Sequence, residues 1–319
     1  MQNMAIINDQ FINSHTNFIE LISAIKKEFA APSIKVPMRH HHDFANPKEE
    51  KDSTLLLMPA WNPGNEIGVK IVTVNPNNSK YDLPSVQGTY IYLDAHKGVP
   101  KAILEGKSLT VKRTAAASAL AASFLAKKNA SSMLMIGTGA LSIDLILAHS
   151  SVRPLKKIYV WGRNMEKAQS ICRELESEQF HISAVKTIEE IISDVDLVSC
   201  ATLSKTPLVL GKYLKEGQHI DLVGSYKKDM READDQTISR SNIYLDTCQG
   251  GLKESGDIII PLENNVIRRE DIKADLFELC SNKKPGRTND KVITVFKSVG
   301  HALEDLVAAK YYYNKFMDE

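Results

Sequence analysis

Apolar residues Phe18, Leu21, Ile22, Ile25 and Phe29 recur at intervals of three and four, with Lys26, Lys27 and Glu28 between them. That spacing predicts an amphipathic helix over residues 17–29 with one buried face. The period then changes. Short extended stretches at 54–60, 67–74, 88–93 and 102–104, separated by Pro, Gly and Asn turns, predict an antiparallel sheet accompanied by one or two helices. Beyond residue 110 a long Ala-rich helix leads into apolar strands at 133–136, 158–161, 196–200 and 219–223. Their alternation with helices is the pattern of a doubly wound parallel sheet. A last periodic segment, 299–316, sets Ala302, Leu303, Leu306, Val307 and Lys310 at helical spacing and can close onto either half.

A chain of 319 residues is long enough for two domains with ample core. Its 40 Lys+Arg against 39 Asp+Glu leave a formal charge of +1, so there is no global basic field for nucleic acid and a small-molecule partner is expected. Cys172, Cys200, Cys248 and Cys280 are far apart, with no CxxC pair and no histidine at zinc-ligand spacing. Neither a disulfide framework nor a structural metal is expected. Residues 1–11 show no basic stretch followed by an apolar one, and the longest mostly apolar run, 114–126, is too short for a bilayer span. A cytoplasmic location without membrane contact is the default expectation.

The segment SSMLMIGTGALSIDLILAHS runs from an apolar strand through Gly137, Thr138, Gly139, Ala140 and Leu141 into a helix. Gly137 permits the tight turn, Gly139 lets a pyrophosphate approach the backbone, and the helix N-terminus offers free N–H groups and the positive end of its dipole. Ser142 stands where the dinucleotide fingerprint usually has a third Gly or Ala, though it is small enough for close packing. Flanking strands and helix strengthen the signal; glycines that serve only a tight turn are the plainer alternative. Strand 157–161 ends in Gly162, Arg163 and Asn164, where an NAD-specific site usually has an acid for the ribose hydroxyls. Arg163, helped by Asn164 and Lys167, is instead expected to hold a 2′-phosphate, so NADPH is expected as cofactor with NADH the weaker alternative.

Arg39 in KVPMRH, Lys70 in IGVKIVTVNP and Arg113 in LTVKRTAAASALAA sit in unusually apolar or turn-bounded contexts. Lys70 falls mid-strand and Arg113 opens an almost uncharged helix, so each is costly to bury without an anion. A bound carboxylate is one such anion, and an internal ion pair is the other. The run His40, His41, His42 carries little metal signal, because consecutive residues of an extended chain alternate faces. A solvated loop is the simpler reading.

Several motifs in order complete the picture: PxR at Pro37–Arg39, GVKIVTVNPNN from Gly68, LTVKRTAAASALAA from Leu109, IGTGAL, VWGRNMEKA, VGSYKKDMREAD from Val223 and KSVGHALEDLVAA from Lys297. With these the chain resembles the ornithine cyclodeaminase/mu-crystallin family. The resemblance implies a Rossmann NAD(P)-binding domain at 113–298. It also implies an α+β substrate-binding and dimerisation domain formed by 1–112 with 299–319, in a homodimer. It places Arg39, Lys70 and Arg113 on the substrate carboxylate, Lys70 and Arg113 as catalytic, and Tyr226 at the substrate. Thr114, Ala201, Thr202, Val223, Gly224, Ser225, Ser298 and Gly300 join the cofactor contacts.

Members of the family include ornithine cyclodeaminases, alanine dehydrogenases and reductases of cyclic ketimines. Cyclodeaminases carry an Asp two residues after the glycine matching Gly224; here that residue is Tyr226. The departure favours a ketimine reductase converting 1-pyrroline-2-carboxylate to L-proline, with 1-piperideine-2-carboxylate to L-pipecolate as a second candidate reaction. Asp229, three residues on, keeps the cyclodeaminase reading open, and a non-catalytic NADPH-dependent ligand carrier is the alternative from another class.

Overall fold

The sheet of the N-terminal half comprises β1 (Ala5–Ile7), β2 (His40–Phe44), β3 (Ser53–Asn62), β4 (Glu66–Val74), β5 (Val86–Asp94) and β6 (Pro100–Glu105), in the spatial order β1-β6-β5-β4-β3-β2. The structure is a computed structural model that describes residues 4–177 and 179–319. Short turns make β2 to β6 antiparallel neighbours, whereas β1 joins β6 in parallel, so the sheet is mixed. A three-residue strand is too short to announce itself by alternation. The histidine run is also not a loop. It forms the exposed edge strand β2, with the rings of His40 and His42 6.2 Å apart on one face and His41 with Asp43 on the other. Among the described residues no group of three or more His, Cys, Asp or Glu is placed to hold a metal ion.

The predicted amphipathic helix is Phe18–Ala30, capped by the Asn17 side chain, which accepts from the N–H groups of Ile19 and Glu20. It buries Leu21, Ile22, Ile25 and Phe29, each such side chain contributing about 1.5–3 kcal/mol of hydrophobic burial. Its partner is the C-terminal helix Ala302–Met317, which also lies over β3, β4 and β5. The chain accordingly divides into two compact units, Met1–Arg113 with Ala302–Glu319, and Thr114–His301.

In the second unit β7 (Ser132–Ile136), β8 (Lys157–Trp161), β9 (His181–Ala184), β10 (Leu197–Cys200), β11 (His219–Leu222), β12 (Ser241–Leu245), β13 (Ile272–Asp275) and β14 (Ile293–Lys297) form one parallel sheet. Its order is β13-β12-β14-β11-β10-β7-β8-β9. β7, β10, β11 and β14 are buried along their whole length, as strands covered on both faces must be. From β7 the chain steps outward through β8 and β9, then returns to lay β10 on the other side. That reversal is the topological switch point at which doubly wound sheets bind ligands.

The Ala-rich helix spans Gly106–Leu125, so it starts earlier than its composition suggests and Arg113 lies about two turns inside it. Glu105 sets the start, its carboxylate accepting from the N–H groups of Lys107 and Ser108 at 2.9 and 2.7 Å. Arg153 closes the other end by donating to the carbonyls of Ala122, Ser123 and Ala126. None of the described helices is long and apolar enough to cross a membrane, and all four cysteines are free.

Candidate active site

Alternation along β4 turns Glu66, Gly68 and Lys70 to one buried face. The C-terminal helix meets that face with polar groups of opposite sign. Lys310 pairs with Glu66 at 2.8 Å, and Lys70 Nζ lies 2.7 and 2.9 Å from the two oxygens of Asp305. From the Ala-rich helix, Arg113 donates through Nη1 to Glu304 at 2.7 Å, and its Nε stands 2.9 Å from Asp305. Both acids are fully buried, with Lys70 at 2% and Arg113 at 5% exposure. The anionic partners that these cations require are thus supplied by the protein itself. Sequence reasoning did not anticipate Glu304 and Asp305, although two adjacent acids inside ALEDLVAA are the same kind of signal that marked Lys70.

Arg39, half-buried just before β2, adds a third positive charge to the cluster and bears electrostatically on both Lys70 and Asp305. Burial, together with the charges of Arg113 and Arg39, pushes Lys70 down to about 8 against the opposing pull of Asp305. Burial pushes the Asp305 carboxyl up, but Arg113, Lys70 and Arg39 together hold it below its ordinary value. Asp305 is therefore ionised at neutral pH.

In the second unit the glycine turn has the features a pyrophosphate needs. Gly137 has φ +121°, and a Cβ there would sit 2.6 Å from the Ala201 carbonyl oxygen. At Gly139 a Cβ would meet nothing within 4 Å, so the bare backbone faces open space. No side chain caps the helix Ser142–Val152 that follows. These features fit a dinucleotide phosphate at the helix N-terminus. Ser142, the departure from the fingerprint, donates its hydroxyl to the Gly137 carbonyl at 2.9 Å and so braces the turn. Thr138 packs against Gly162, while Ala140 and Leu141 complete the turn into the helix. Arg163 and Lys167 are exposed with no ion pair among the described residues; Asn164 caps the next helix, accepting from the Lys167 N–H at 3.1 Å.

Three further loops follow β10, β11 and β14. Ala201 N–H donates to Ile136, and Val223 N–H to Cys200. Thr202, Gly224 and Ser225 all donate to Glu232. Asp246 Oδ2 accepts from Ser298 Oγ and from the N–H groups of Val299 and Gly300, the last two at 2.7 Å. Thr114 is buried in the Ala-rich helix. Tyr226 is half-buried, its phenol pushed up by burial and by Asp229. Asp229 itself is exposed and paired with Lys205 at 2.7 Å, which holds its carboxyl down. Glu232 and Asp246, which organise these loops, were not singled out from the sequence, since an acid in a polar loop looks like any solvated one.

Residues 2–319 match the model of the ornithine cyclodeaminase/mu-crystallin family. The chain belongs to this family. A Delta(1)-pyrroline-2-carboxylate reductase of Colwellia psychrerythraea is 35% identical over 319 residues, covering 99% of this chain and 100% of the relative. Within the family's solved structures, the Thermococcus litoralis Delta(1)-pyrroline-2-carboxylate reductase in complex with NADH and L-proline superposes with a TM-score of 0.91 at 32% identity. The match covers 99% of this chain and 98% of that one. An archaeal alanine dehydrogenase dimer with bound NAD gives a TM-score of 0.89 at 27% identity, over 99% and 96% of the two chains.

Proposed function

We propose that this family member is an NAD(P)H-dependent reductase of cyclic ketimine carboxylates that converts 1-pyrroline-2-carboxylate to L-proline, with 1-piperideine-2-carboxylate to L-pipecolate as the second substrate. The observation that carries the reading is the convergence of Lys70 and Arg113 on one buried cluster, with Arg39 bearing electrostatically on it. Such a gathering of cations suits a carboxylate, and relatives that match over the whole chain are named for a carboxylate substrate.

Lys70 and Arg113, rigidly held by the two acids, fix the carboxylate with Arg39, and Tyr226 bounds the substrate. Gly137, Thr138, Gly139, Ala140 and Leu141 hold the pyrophosphate, and Arg163, with Asn164 and Lys167, the 2′-phosphate. Thr114 and the loops bearing Ala201, Thr202, Val223, Gly224, Ser225, Ser298 and Gly300 line the rest of the cofactor. Bound NAD(P)H supplies a hydride to the imine carbon, and the ring nitrogen takes its proton from solvent or a neighbouring acid. A cyclic imine is already electrophilic, so the protein's task is chiefly orientation and charge neutralisation.

Preference for NADPH rests on Arg163, an exposed guanidinium just after β8 with no ion pair among the described residues, at a place where the sequence offers no acid for a ribose hydroxyl. A homodimer is proposed on the likeness to the archaeal dimer, and a reducing cytoplasmic location on the free cysteines. The decisive assay is NADPH oxidation with 1-pyrroline-2-carboxylate beside ammonia release from L-ornithine. Oxidation without ammonia supports the reductase. Ammonia without net oxidation overturns it in favour of a cyclodeaminase, and NADH-linked amination of pyruvate in favour of an alanine dehydrogenase.

A further inference from the structure

Glu232 takes no part in the chemistry above, yet its fully buried carboxylate is the meeting point of two loops. Oε1 accepts from Thr202 N–H at 2.6 Å and Thr202 Oγ1 at 2.9 Å, while Oε2 accepts from Gly224 N–H at 2.8 Å and Ser225 N–H at 3.2 Å. Behind it, Asp257 of the helix Gly256–Glu263 accepts from the N–H groups of Glu232 and Ala233 at 2.7 and 3.0 Å. Lys297 Nζ, from β14, stands 3.3 Å from Asp257 Oδ2 and 3.9 Å from Glu232 Oε2. The Cys200 thiol of β10 faces the same carboxylate. Arg231, next in the chain, turns instead to Asp235 and the Ala233 carbonyl. Two carboxyl groups with no exposed surface therefore lie against one lysine in a fully buried site.

We propose that Glu232 is a positioning residue whose carboxylate latches the loops after β10 and β11 in the shape that receives the cofactor, and that protonation there releases them. This rests on the placing of the cofactor on those loops. The charged form can accept all four bonds. A protonated carboxyl has a hydrogen of its own, which only the Thr202 hydroxyl among these four groups can accept, and its bonds from the three backbone N–H groups lose the assistance of the negative charge, so the ties to both loops weaken. Burial, opposed by Lys297 and reinforced by Asp257, pushes Glu232 up to about 7. The latch thus works over a mild range of pH.

Hydrogen–deuterium exchange of the whole protein without cofactor, from pH 6 to pH 8 and corrected for intrinsic exchange, tests the latch directly. NADH binding is followed in parallel by fluorescence, because NADH has no 2′-phosphate to titrate in this range. From pH 8 to pH 6 the ionised fraction of a group titrating near 7 falls about tenfold. The amides of Thr202, Gly224 and Ser225 should lose protection by about that factor, with a matching rise in the NADH Kd. Glu232→Gln should show the loosened loops and weak binding already at pH 8. Thr202→Val removes only one donor and should move the wild-type transition to higher pH, which keeps the test informative if Glu232→Gln does not fold. Protection that is constant with pH overturns the proposal. Loops that loosen while NADH affinity holds steady would leave the latch standing and overturn the placing of the cofactor on them.

Discussion

Lys70 and Asp305 stand 235 positions apart in the chain and meet at 2.7 Å, with their side chains 3% and 0% exposed. The pair joins β4 to the C-terminal helix, and Arg113 Nε lies 2.9 Å from the same carboxylate. Removing the acid leaves two like charges facing each other in a dry site. Asp305→Ala should therefore cost about 3–5 kcal/mol of folding stability, the penalty typical of a broken buried pair. The Lys70→Met, Asp305→Leu double variant should lose much less than the sum of the two single changes, because no orphaned charge remains at that pair. Urea unfolding of the wild type, Asp305→Ala, the Lys70→Met and Asp305→Leu single variants and their double measures this, and additive losses would show that the two residues are not energetically coupled.

A second expectation concerns pH. Lys70 is pushed down to about 8 by its burial and by Arg113 and Arg39, so its charged form begins to fade just above neutrality. Only the ammonium attracts a carboxylate. The kcat/KM for 1-pyrroline-2-carboxylate should therefore fall above about pH 8, approaching tenfold per pH unit. Lys70→Arg keeps its charge at every accessible pH and should lose this alkaline limb, whatever its absolute rate. An identical limb in both proteins would assign the titration to another group.

The 2′-phosphate reading makes a prediction that separates two cofactors. Arg163 is exposed and engages no acid among the described residues, so its removal should leave the fold intact. Losing a charge-assisted bond of about 1.5–3 kcal/mol corresponds to a rise in KM for NADPH of roughly 10- to 100-fold. The KM for NADH should stay within about twofold in the same Arg163→Ala protein. Comparable losses with both cofactors would mean that Arg163 supports the turn and not the phosphate.

Periodicity revealed the Rossmann sheet because its central strands are buried on both faces and spell continuous apolar runs such as SMLMI. It revealed the helix at Phe18 because one face alone is apolar. It missed β1, three residues whose pairing partner lies about a hundred positions away, and β2, whose exposed histidines carry no hydrophobic signature. The buried cations stood out by their apolar neighbours. Glu304 and Asp305 have apolar neighbours too, but which cation each acid meets is decided by tertiary packing and leaves no local spacing to read. The role of Glu232 was hidden for the same reason, since its four donors come from residues seven, eight and thirty positions away.

Gly139 permits the fold and the ligand to be tested apart. A Cβ at this position meets nothing within 4 Å, and its backbone is not in the left-handed region, so Gly139→Ala should change stability by no more than about 0.5 kcal/mol. The same methyl group would stand in the open space beside the helix N-terminus, where the proposed cofactor site has the pyrophosphate approach the backbone most closely. Binding of NADH and NADPH should weaken together, by about tenfold or more, since the pyrophosphate is common to both. Gly137→Ala differs in kind, because its added carbon would lie 2.6 Å from the Ala201 carbonyl at φ +121° and should destabilise the protein itself. Thermal unfolding and fluorescence titration of the two variants give the comparison. A Gly139→Ala protein that is stable and binds both cofactors normally would move the pyrophosphate away from this turn.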